Sequence, residues 1–152
     1  MWQIRWMIAL VMLAICTYTD IRERNIYLIP LIISASGGIL ITMEAFFMVP
    51  GYDAGMFVNE LIIPILTGGT MILISKAIKR HIGIGDIYML VALSLIIGTG
   101  YMLLAVVAGS TAASLFAGVT MIKGRRRFIR SIPFAPFVMS GFMIVMVNEI
   151  QR

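Results

Sequence analysis

Apolar residues fill six stretches of this chain, separated by short polar or glycine- and proline-bearing breaks. The stretches fall at about residues 2–19, 26–49, 56–75, 82–97, 101–122 and 132–147. Each approaches the length of a helix that crosses a bilayer, for which about 20 apolar residues are needed. Pro50-Gly51-Tyr52-Asp53 is a turn signal between the second and third. The run from Ile82 to Ile122 is too long for one crossing at about 1.5 Å per residue, and Gly98-Thr99-Gly100 is its natural break. The fourth stretch reaches spanning length only if Gly83-Ile84-Gly85-Asp86 is counted within it, which puts Asp86 inside the membrane boundary. Pro64 and Gly68-Gly69 are expected to bend the third stretch. Ala105, Gly109, Ala113 and Ala117, spaced four residues apart, predict a flat ridge on the fifth, against which another helix packs closely. Trp2 and Trp6 suit an interfacial belt at the start of the first.

Composition turns this pattern into a membrane protein. Of 152 residues, 61% are hydrophobic and 12% are charged, with a mean hydropathy of +1.01. A soluble domain carries about a quarter charged residues. The expected architecture is all-α and polytopic: one membrane domain over residues 1–152, six transmembrane helices, and no room for a soluble domain. A net charge of +5 would suit nucleic acid if it were gathered on one face. Here the basic residues lie in short loops, the pattern of topology signals, so no nucleic-acid partner is expected. The loop after the first stretch holds Arg22 and Arg24, that after the third Lys76, Lys79 and Arg80, and that after the fifth Lys123, Arg125, Arg126, Arg127 and Arg130. The loops after the second and fourth hold none, and Arg5 and Arg152 stand at the ends. The positive-inside rule then predicts both termini outside, N-out and C-out, with the basic loops in the cytoplasm and against anionic lipid. Five spans would place the most basic loop outside.

Cys16 is the lone cysteine, so no intrachain disulfide and no cysteine-based metal site is expected. Ile15 before it is too large for a lipoprotein cleavage site, and the first stretch reads as a retained helix.

Two acids stand out. Asp20 closes the first apolar stretch, and Asp86 opens the fourth, whose residues Ile87 to Ile97 carry no charge. An ionisable group at the mouth of a span is costly and by default marks function. Six spans put both aspartates on the cytoplasmic face. Like charges a few ångströms apart do not both ionise cheaply, so such a pair shares a proton and titrates as a unit. One carboxylate then serves as general base on water, and the other, protonated, polarises a scissile carbonyl and helps protonate the leaving amine. Gly83 and Gly85, lacking side chains, let an extended substrate backbone come close. The structural alternatives are that Asp20 is a helix-end residue paired with Arg22 or Arg24, and that Asp86 is the N-cap of the fourth helix. Glu23 and Glu60 are equal candidates to meet a basic substrate segment. His81, beside Lys79 and Arg80, reads as a solvated loop residue. Pro133 and Pro136 read as helix-start residues that also shape the wall of the site.

Asp20-Ile21-Arg22-Glu23-Arg24-Asn25-Ile26, Gly83-Ile84-Gly85-Asp86 and Pro133-Phe134-Ala135-Pro136-Phe137 together resemble the three signatures of the type IV prepilin peptidases, which include the preflagellin peptidases. The resemblance extends to length, motif order and topology. It implies a six-helix membrane aspartic peptidase in which Asp20 and Asp86 match the catalytic aspartates. The implied partners are pilin-like or flagellin-like precursors, cut after a short basic leader at the cytoplasmic face of the cell membrane. No metal or organic cofactor is implied. Larger relatives add a cysteine-rich zinc region and methylate the new N-terminus; this chain lacks both the length and the cysteines, so peptidase activity without methyltransferase activity is expected. The chain departs from the pattern at Tyr27-Leu28, where Pro-Asn is common, and at Tyr88, where Lys is common. The alternatives are a small transporter that uses the two acids as proton or cation carriers, and a degenerate peptidase acting in assembly. No oligomeric state can be read from the sequence.

Overall fold

The computed structural model describes residues 2–77, 83–122 and 134–151. Among these residues there are six helices and no strand. α1 runs Trp2–Glu23 and α2 Leu28–Met48. α3 is built of three consecutive pieces: Ala54–Phe57, a single π-helical turn Val58–Ile62, and Ile63–Ala77. α4 is Ile84–Ile97, α5 Thr99–Ile122 and α6 Ala135–Ile150. Four segments, Gln3–Glu23, Leu28–Met48, Ala54–Lys76 and Thr99–Val119, are long and apolar enough to cross a membrane. α4 and α6, at 14 and 16 residues, are shorter. Ile33, Leu40, Leu66, Leu73, Val107 and Leu115 are all exposed on the outer faces. In water so much apolar surface would be an aggregation liability, whereas lipid accepts it.

Side-chain contacts fix an up-and-down arrangement. At one end Arg5 of α1 reaches Glu60 of α3 and Thr42 of α2, while Tyr101 of α5 donates to Glu149 of α6. At the other, Asp20 of α1 meets Ala135 of α6, and Gly85 of α4 meets Ile26. The first and last residues of the bundle therefore share an end, opposite the two aspartates.

α4 is the centre. It packs against α1, α2, α3 and α5. Nine of its residues, from Ile87 to Ile97, are buried. This accounts for its uniform apolarity: a helix covered on all sides has no solvent stripe to keep polar. α2 approaches it backbone to backbone, for a Cβ added to Gly38 would lie 2.7 Å from the Leu95 carbonyl oxygen. α4 ends at Gly98, whose φ of +86° lets the chain turn at once into α5.

Several expectations from the sequence take a different form. The predicted ridge on α5 is close-packed only in its first half. A Cβ on Gly109 would lie 2.4 Å from the Phe137 carbonyl oxygen, and one on Gly141 would lie 2.1 Å from that of Ala105. Ala113 and Ala117, farther along, are half-buried. Where a bend is expected in α3, the helix carries a π turn just before Pro64. Proline has no N–H to send back to the Glu60 carbonyl and crowds that carbonyl, and the widened turn takes up the mismatch. Gly68 is instead a contact, covered by the Val91 side chain of α4. Trp6 is turned into the bundle and not outward to lipid. It is 7% exposed, with its ring 5.4 Å from Tyr101 and 5.2 Å from Phe142. Lys79, Arg80, His81, the basic run Lys123 to Arg130, and Pro133 lie outside the described residues.

Candidate functional site

α1 does not stop at its last apolar residue. Helical hydrogen bonding continues through the polar stretch to Glu23, and Arg24, at a φ of +52°, ends it with its N–H on the Asp20 carbonyl, 3.1 Å away. Asp20 thus lies in the last turn of the helix. Ala9, Leu13, Cys16 and Asp20 recur every three or four residues, so they share one face. The first three are buried. Asp20 prolongs that stripe and is half-buried.

Asp86 is placed by the start of α4. Gly83 occupies the N-cap position, and the Asp86 and Ile87 amides donate to its carbonyl at 3.0 and 3.4 Å. Asp86 is therefore the third residue of the helix and not its cap. Its carboxyl folds back over Gly83, where an added Cβ would lie 2.7 Å from Oδ2. Gly85 faces Ile26, whose Cβ would be 3.0 Å from one added there. Both glycines therefore have a reason within the chain: one makes room for the Asp86 carboxyl, the other seats α4 against the α1–α2 connection.

The three sequence motifs converge. Asp86 is half-buried and lies within the electrostatic reach of Asp20. The Ala135 amide, first in α6, donates to Asp20 Oδ2 at 3.0 Å. Pro136, second in α6, is half-buried beside it. Thr17 Oγ1, one turn back on α1, contacts Met139 Sδ at 3.4 Å, which holds α6 along α1. The positive ends of the α4 and α6 dipoles both point at this corner and favour carboxylates there.

Among the described residues no basic side chain is paired with either aspartate. Arg22 Nη1 is turned to the Tyr18 hydroxyl at 2.6 Å. Among the described residues the one ion pair, Arg5–Glu60 at 2.6 Å, is at the opposite end. Glu60 is thereby separated from the aspartates, whereas Glu23 shares their end and accepts a hydrogen bond from Tyr27. That bond pushes the Tyr27 hydroxyl above its ordinary value. No group of three or more His, Cys, Asp or Glu able to hold a metal occurs among the described residues.

The sequence reasoning missed the Arg5–Glu60 pair and the bond from Ala135 to Asp20. The first joins residues 55 positions apart and the second residues 115 apart, and neither has a local pattern. The three- and four-residue spacing from Ala9 to Asp20 was an available signal that Asp20 faces inward. Comparison with models of protein families, with curated proteins and with solved structures returned no match.

Proposed function

We propose that this protein is an aspartic endopeptidase of the cytoplasmic membrane, with six spans, both termini outside and the aspartates at the cytoplasmic face. The observation that carries the reading is that Asp20 and Asp86 lie half-buried at the same end of an apolar bundle, within electrostatic reach of one another, with no cation paired to either among the described residues. In the proposed reaction one carboxylate takes a proton from water as the oxygen attacks the scissile carbonyl carbon. The other, protonated, donates to the carbonyl oxygen. Collapse of the tetrahedral intermediate breaks the C–N bond, and the leaving amine takes up a proton. The substrates are pilin-like or flagellin-like precursors whose basic leader precedes an apolar helix. The leader is cut, and the new N-terminus is not methylated. Read as a span, α4 is about 21 Å long against about 30 Å of hydrocarbon, which seats Asp86 beneath the headgroups.

A transporter that used the aspartates as proton carriers would need a polar path to the far face. Between the two ends lie Met12, Leu13, Met89, Leu93 and Ile96, each 0% exposed, and this stands against that reading. The test is incubation of the purified protein with candidate precursors, read by product mass. Parent protein should release the leader, and the Asp20→Asn and Asp86→Asn variants should not. Normal processing by either variant would overturn the proposal.

A further inference from the structure

The first turn of α6 has a proline where a free amide would otherwise stand. A helix begins with four N–H groups that have no intrahelical partner. Here Phe137 and Val138 both donate to the Phe134 carbonyl, at 3.1 and 3.2 Å. Ala135 donates to Asp20. Pro136, between them, has no N–H at all. A single backbone donor of this helix therefore reaches the Asp20 carboxylate, on Oδ2.

That number matters to the chemistry. A carboxylate that accepts two or three backbone N–H bonds is locked in its charged form and becomes a poor base. A carboxylate with none is free to rotate out of line. One bond to Oδ2 orients the group without occupying its other oxygen, and Asp20 as a whole is half-buried, not sealed from solvent. Resting on the peptidase reading, we propose that Pro136 is a positioning residue for the reaction: it withholds a second amide from Asp20, so that Ala135 is the one amide of α6 that orients the carboxylate. It acts through Asp20 and need not touch the substrate.

The test restores the missing donor. Pro136→Ala and Pro136→Gly each supply an N–H at the second position of α6 while the helix start remains allowed. Both should lower kcat for precursor cleavage by about tenfold and leave KM within about twofold, because substrate binding is untouched. A second readout does not need catalysis. Labelling of Asp20 by an apolar carbodiimide, which attacks the protonated carboxyl and is followed by peptide mass, should be slower in both variants than in the parent. A kcat equal to the parent's, or equal labelling, in variants that elute and insert as the parent does would overturn the inference. A parent that does not cleave would sink the peptidase reading alone, and the labelling comparison would still decide the role of Pro136.

Discussion

The two ends of this bundle treat carboxylates in opposite ways. At the Arg5 end, Glu60 Oε2 lies 2.6 Å from Arg5 Nη1 and 3.4 Å from Thr42 Oγ1, and Arg5 Nη2 donates to Thr42 at 3.1 Å. Arg5 is 4% exposed. Charge there is matched by charge, as a buried ion must be. At the Asp20 end two acids lie within electrostatic reach of each other, and what they receive among the described residues is one amide, two helix dipoles and partial exposure to solvent. An acid that holds three helices in register is given a cation. Acids proposed to move protons are left without one among the described residues, and a fixed counter-charge would hold them ionised.

The largest effect that could break this contrast is on activity. Asp20→Asn or Asp86→Asn keeps the shape of the side chain and should reduce precursor cleavage by about a thousandfold or more, as loss of a general acid or base does. Retained cleavage, measured by product mass, would make the aspartate end as structural as the other. Next comes the ion pair. Arg5→Ala leaves Glu60 uncompensated in a buried place and should cost about 3–5 kcal/mol, measured by denaturation in detergent. The double replacement Arg5→Met with Glu60→Leu should recover most of it, and a double variant as unstable as the single would show that the pair is not what ties these helices.

Smaller again is close packing outside both ends. Gly141→Ala drives a methyl into the Ala105 carbonyl and should cost about 1–3 kcal/mol, whereas Gly118→Ala, with nothing within 4 Å, should be neutral. The smallest effect is a titration. Tyr52, in the connection between α2 and α3, has its pKa pushed up to about 12, by burial first and then by Glu60. Its folded value lies above the ordinary one of about 10, so its contribution to stability is complete below about pH 10 and is lost as pH rises through the folded value. Ultraviolet titration of the phenols should show a late component that disappears in Tyr52→Phe.

The sequence made the six apolar stretches plain, because lipid-facing helices must be apolar along their whole length and the breaks between them must be polar or turn-forming. It also placed the α4–α5 break within Gly98-Thr99-Gly100 and a small-residue ridge on α5, without telling which helix would meet it or that only Ala105 and Gly109 would be closely packed. It set the end of α1 too early, since hydropathy falls at Tyr18 while backbone hydrogen bonding continues to Glu23. It gave no sign that Trp6 turns inward, where it packs against Tyr101 and Phe142. The partners of Arg5 and Asp20 were not legible, since which helices become neighbours is decided by packing and leaves no trace in local spacing.

The π turn in α3 has one more consequence. A regular helix advances about 100° per residue, and a wider turn accommodates an additional residue, so the faces before and after it are out of phase with an uninterrupted helix. Glu60, within the turn, meets Arg5, and Gly68, beyond it, meets Val91. α3 works as a gear between two neighbours whose bearings differ, with Val58–Ile62 as its one irregular tooth.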